Sequence, residues 1–169
     1  MKIKDIVIIG MLSAILVTVQ VGLGFLPNVE LVSALIILYT LILGRKTLYI
    51  IYIFVVLEGV IYGLGLWWFN YLYVWTVLYL IVRLLRKNSL PLFWAVISGA
   101  FGLGFGALCS IPYFITGGIP SGAAYWVAGI PFDLIHGVSN FIVTLLVFIP
   151  FQYIMKKMMS RYDTQANRP

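Results

Sequence analysis

The chain has one cysteine, Cys109, and one histidine, His136, among 169 residues. A single cysteine excludes an internal disulfide, and no CxxC pair or Cys/His cluster exists. One histidine excludes a two-histidine metal site, so no metal ligands and no cofactor are assigned. No GxSxG elbow and no Walker loop occur, so the chain carries no ATPase motor and no hydrolase signature of its own. Charge is scarce as well: 9% of residues are charged, against about 25% in a soluble domain.

Apolar residues fill the space that charge vacates. They make up 63% of the chain, and the mean hydropathy is +1.08. This composition predicts an all-α integral membrane protein with nearly all of its mass in the bilayer. The length fits one domain. The net charge of +6 does not indicate nucleic acid, because the basic residues form no patch. They sit at helix ends, where they act as topology signals.

A span needs about 20 apolar residues. The first runs from Ile6 to Gly24; Lys2 and Lys4 precede it as in a signal peptide, but its length favours a retained span. Asn28 reads as an N-cap and Glu30 as first-turn acid of a second, short helix ending at Leu43. A third helix runs from Thr47 to Tyr62 and a fourth from Trp67 to Leu85. The fifth starts at Pro91, carries Gly99, Gly102, Gly104 and Gly106, and ends before Thr116. Residues 123–130 read as a loop or interfacial helix, and the sixth helix as starting at Pro131. The expectation is a single six-helix transmembrane domain over residues 1–159 and a polar, frayed cytoplasmic tail over 160–169. No internal repeat is apparent.

Charge then orients the bundle. With both termini cytoplasmic, every Lys and Arg falls inside: Lys2, Lys4, Arg45, Lys46, Arg83, Arg86, Lys87, Lys156, Lys157, Arg161 and Arg168. The outer segments, near 21–29, 63–69 and 116–130, hold none. The positive-inside rule therefore selects a multi-pass protein of the cell membrane with cytoplasmic termini.

Four groups of residues stand out against the apolar background. Asp133, His136 and Asn140, at i, i+3 and i+7, share one helical face. Polar groups on a membrane helix face the bundle interior or a wet cavity, which points to a pocket. Asp133 alone also fits a helix-start acid two residues after Pro131. Glu58 lies deep in the third helix without a basic partner at its depth. It is either a protonated structural group or a ligand contact. The stretch from Trp67 to Trp75, with Trp68, Asn70 and Tyr71 in it, is either an outer aromatic belt or a surface for stacking a flat heterocycle. Tyr125 and Trp126 lie on the same side, as a lid would. Two acids without a basic partner favour a substrate that is cationic or rich in N–H donors, such as an amine-bearing heterocycle. Finally, Gly10, Ala14, Thr18 and Gly22 form a small-residue stripe on helix one. It admits another helix at close range, in the same chain or in a partner.

These features together resemble the substrate-binding S components of energy-coupling factor (ECF) transporters. The resemblance rests on the six helices and on the small-residue stripe, where Gly10-Met11-Leu12-Ser13-Ala14 stands for the family's Ala-x-x-x-Ala. It rests also on Leu57-Glu58-Gly59 through Asn70-Tyr71-Leu72 and on Gly129-Ile130-Pro131-Phe132-Asp133 with His136 and Asn140. It covers nearly the whole chain. It implies a non-enzymatic subunit that captures a vitamin or related micronutrient at the outer face. The subunit docks on a transmembrane coupling protein carrying two ATPases, here through Gly10, Ala14 and Thr18. It implies no substrate identity. The alternative is a structural six-helix protein of the cell-elongation machinery, which needs no polar outer cavity. An intramembrane enzyme using Glu58, Asp133 and His136 is the weakest reading, since it lacks further metal ligands.

Overall fold

The computed structural model describes residues 3–166, with side chains described as far as Ser160. Among these residues there are seven helices and no strand: α1 (Ile3–Gly22), α2 (Val32–Leu43), α3 (Lys46–Tyr62), α4 (Leu66–Leu85), α5 (Pro91–Leu103), α6 (Phe105–Cys109) and α7 (Ile111–Ala166). Three stretches are long and apolar enough to cross a membrane: Ile3–Gly22, Leu66–Leu85 and Ile111–Ser160. The protein is therefore all-α and built for the bilayer.

The short helix α2 is the hub. All residues from Val32 to Thr40 are buried, and α2 packs against α1, α3, α4, α5 and α7. A helix that is apolar all round belongs in a core. Its 12 residues rise only about 18 Å, whereas the hydrocarbon layer is about 30 Å thick. The missing length is taken by the irregular segment 23–31. Backbone at membrane depth must line a cavity or be buried in protein, because lipid satisfies none of its polar groups.

That segment differs from its expected form. Asn28 does not cap α2. It adopts a left-handed backbone, φ 61°, and its carbonyl accepts a hydrogen bond from the Ser139 hydroxyl. The capping falls to Glu30, which lies before the helix and not in its first turn. Its Oε2 accepts from the Ser33 backbone N–H at 2.8 Å, where the helix dipole favours negative charge.

Helix α1 buries Ile9, Leu12, Ser13 and Leu16, a single stripe that packs on α3. The Ser13 hydroxyl lies 2.8 Å from the Ile9 carbonyl and 3.2 Å from that of Ile50. At its start, Asp5 pairs with Lys46 at 2.7 Å. The helix breaks at Gly22-Leu23-Gly24, and α3 ends at Gly63, whose φ of 83° suits glycine.

The last third departs most from expectation. Single residues, Gly104 and Ser110, joint α5, α6 and the start of α7, and backbone hydrogen bonds carry across both joints. The column ends at Gly118, where φ 71° and ψ −174° break the helix. The chain reverses there: Tyr113 stacks on Tyr125 with ring centroids 4.0 Å apart, and Gly122 lies against the Phe114 ring. The second leg of α7 starts after this turn and is helical through 123–130, so of the two forms expected there, loop or interfacial helix, the loop is excluded, and the expected start at Pro131 is corrected. Pro120 occupies the true first turn, where its missing N–H is harmless. Pro131 and Pro150 lie inside the helix, as membrane helices allow. Nor does the helix stop at Ser160: it continues through Ala166, and the rest of the expected tail lies outside the described residues.

Helix α5 packs tightly on this second leg. A Cβ on Gly102 would meet the His136 carbonyl at 2.8 Å, and one on Gly99 would meet that of Gly137 at 3.1 Å. The Gly10, Ala14, Thr18 and Gly22 stripe, by contrast, is exposed along its whole length. Among the described residues, a Cβ at Gly10 or Gly22 would meet nothing within 4 Å.

Candidate functional site

A cavity of about 560 Å³ lies over the N-terminal end of α2. Its walls come from five places: Gln20 at the end of α1, segment 23–30, α4, α6 and the second leg of α7. Its floor follows from the shortness of α2, which leaves the outer part of the bundle without a central helix.

Two carboxylates and the single histidine meet there. His136 Nε2 lies 3.3 Å from Glu30 Oε1. With the Ser33 N–H on Oε2, both Glu30 oxygens are engaged.

Asp133 is different. Its Oδ1 accepts from the Gly106 N–H at 2.9 Å. A side chain at Gly106 would collide with this carboxylate, so glycine lets the α6 backbone approach. Asp133 Oδ2 is buried and has no hydrogen-bond partner, in a residue 7% exposed. Such an orphan costs about 1–3 kcal/mol, more when charged. Asp133 does not act as a start cap of its own helix, which begins far upstream.

Aromatic rings complete the wall. Tyr71 and Trp75 meet edge to face at 5.5 Å, Trp75 and Phe105 lie 5.7 Å apart, and Phe105 meets the His136 ring at 4.8 Å. The Gln20 amide lies 3.4 Å from the Tyr71 hydroxyl. Tyr125 and Phe132 line the outer edge.

Of the residues singled out from the sequence, the structure brings Tyr71, Trp75, Tyr125, Asp133 and His136 to this cavity. Others sit elsewhere. Asn140, just below, donates to the Ser33 hydroxyl at 3.2 Å and ties α7 to α2. Asn70 is buried with Oδ1 3.0 Å from the Tyr73 hydroxyl, which also lies 2.6 Å from the Leu108 carbonyl. Trp67 packs edge-on behind Tyr71. Trp68 donates its indole N–H to the Val55 carbonyl at 2.9 Å and covers Gly59. Trp126 is exposed on the outside of α7. Glu58 is 1% exposed, and its Oε1 has no hydrogen-bond partner, but it does not line the cavity.

Sequence patterns do not single out Glu30, Gln20 or Phe105 as site residues. Glu30 carries a signal: it is an acid next to segments devoid of Lys and Arg. Phe105 carries none. Among the described residues no group of three or more acidic, histidine or cysteine side chains could hold a metal ion. The arrangement offers hydrogen-bond acceptors and ring faces to a small molecule. Comparison with family models, with curated proteins and with solved structures finds no match for this chain.

Proposed function

We propose that this chain is the substrate-binding S component of an ECF-type importer, capturing a vitamin or related micronutrient from the outer face of the cell membrane. The observation that carries the reading is the cavity over α2, with an orphaned carboxylate oxygen at its wall. This oxygen, unlike that of Glu58, faces a cavity in which a ligand donor can pair it, and leaving it unpaired is destabilising.

Six helical columns support the six-span count: α1, α2, α3, α4, the jointed column from Pro91 to Gly117, and the second leg of α7. The charge pattern places segment 23–31, and hence the cavity, on the outer side. The chain holds no motor, so transport draws on a transmembrane coupling protein with two ATPase subunits. The exposed stripe of Gly10, Ala14 and Thr18 is the surface on which that partner docks. Close van der Waals contact drives helix association in lipid, and small residues permit it.

Two experiments test this reading. In a Cys109→Ala background, Leu64→Cys is expected to react with an impermeant thiol reagent in intact cells, and Ser89→Cys is not. The reverse pattern refutes the orientation. Co-expression with an ECF coupling module is expected to give a complex that Ala14→Trp abolishes without loss of fold. Absence of any complex with the unaltered chain favours the structural alternative.

A further inference from the structure

On the reading of the cavity as a substrate site, its walls also describe the substrate. We infer that the ligand is a flat aromatic or heteroaromatic ammonium ion without phosphate or carboxylate, whose N–H group donates to Asp133 Oδ2.

Each part of that description answers to a feature of the wall. Asp133 Oδ2 is the one carboxylate oxygen at the site that is left without a protein donor, since Glu30 spends both oxygens on Ser33 and His136. An N–H group from the ligand supplies the missing bond. The ligand is a cation because two acids line the cavity and no Lys or Arg does. A buried carboxylate seeks a compensating charge. An anion would meet Glu30 and Asp133 with no Lys or Arg to offset them. The ligand is aromatic because Tyr71, Trp75 and Phe105 form a continuous wall of rings. Their faces are the negative part of the ring quadrupole and attract flat cations. The ligand is small because about 560 Å³ lies in the range of pockets that enclose one small molecule. A bare metal ion fits poorly, for one free oxygen is too few ligands.

Asp133→Asn is a clean probe of this assignment. The amide oxygen still accepts from Gly106, so the joint between α6 and α7 keeps its bond, while the anionic acceptor facing the cavity is lost. Gly129→Phe is the second variant. Gly129 lines the cavity, and a Cβ there meets nothing within 4 Å, so a side chain can start there without a clash, and a ring is expected to occupy the space.

The experiment measures binding to the purified chain in lipid nanodiscs. The probes are phenyl, indole and pyrimidine scaffolds, each as an ethylammonium, an ethanol and an acetate derivative. For at least one scaffold the ammonium member is expected to bind at least about tenfold tighter than its alcohol, with no binding of the acetate. Asp133→Asn is expected to weaken the ammonium member by about tenfold to a hundredfold and to leave the alcohol unchanged. Equal binding of ammonium and alcohol, tighter binding of the acetate, unchanged ammonium affinity in Asp133→Asn, or no ammonium binding at all overturns the proposal. Gly129→Phe separates the two levels. If alcohol or acetate probes bind and lose binding in this variant, the ligand class falls while the substrate cavity stands. If nothing binds, or binding ignores the filled cavity, both fall.

Discussion

Two small-residue patterns in this chain look alike and end in opposite environments. Gly10, Ala14 and Thr18 recur every four residues on α1, as a packing stripe should, and all three are exposed. Gly99 and Gly102 on α5 and Gly137 on α7 form the seam that is buried, with backbones close enough to forbid a Cβ at ordinary distance. Spacing marks a face on which a helix can pack closely. It does not say whether the chain supplies that helix itself. Helix α1 spends its larger residues Ile9, Leu12 and Leu16 on α3, which leaves the smooth face outward. Helix α5 has glycine where α7 crosses, and so takes α7 in.

The largest effect is expected from breaking the internal seam. Gly102→Leu forces a side chain into the His136 backbone; overpacking of this kind costs about 1–3 kcal/mol, and more where backbone must move. A thermal melt in detergent is expected to show a large loss of stability, and any ligand site is expected to go with it, because His136 belongs to the same turn. An unchanged melt would show that the two backbones are not in such close contact.

A middle-sized effect is expected at the capping acid. Glu30→Ala removes the acceptor for the Ser33 N–H and for His136, at a cost of about 1–3 kcal/mol. A thermal melt in detergent is expected to show a lowered melting temperature in Glu30→Ala and a smaller loss in Glu30→Gln, which keeps an acceptor oxygen. An unchanged melt in Glu30→Ala would deny Glu30 this role.

The smallest effect on stability is expected at the outward stripe. Ala14→Trp meets no neighbour on its own chain, so the melting temperature should shift by no more than a surface change does, within about 0.5 kcal/mol. Stripe and seam then differ as their surroundings demand. A severe loss would place the stripe inside the fold.

How much of this was legible in the residues can be judged element by element. The helices around 46–62 and 66–85 follow from apolar length and flanking glycine, and the first turn of α5 from Pro91. Proline misleads at Pro131, since Pro120 offers the same signal eleven residues earlier and stands beside the glycines that make the turn. Helix α2 reads correctly as short, but its consequence, a cavity above its N-terminus, needs the depth of its neighbours. In the site, Asp133 and His136 are visible as polar groups in an apolar run. Glu30 is visible as a helix-start acid, which it nearly is, and its second role toward His136 spans 106 residues. No local pattern reports such a contact. Glu58 misleads for the opposite reason: depth without a partner marks a polar group as unusual, not as part of a site. Asn70 and Asn140 are buried, yet Asn70 bonds Tyr73 on its own helix and Asn140 ties α7 to α2.

The proposed function stands on capture of a small molecule in the outer cavity. Native mass spectrometry of the protein in nanodiscs, after exposure to the small-molecule fraction of a cell extract, tests this when run beside Gly129→Phe. A discrete small-molecule adduct is expected on the unaltered chain and is expected to vanish from the filled variant, with the same melting temperature for both unliganded proteins. The same adduct on both proteins, or none on either, would show that the cavity captures nothing.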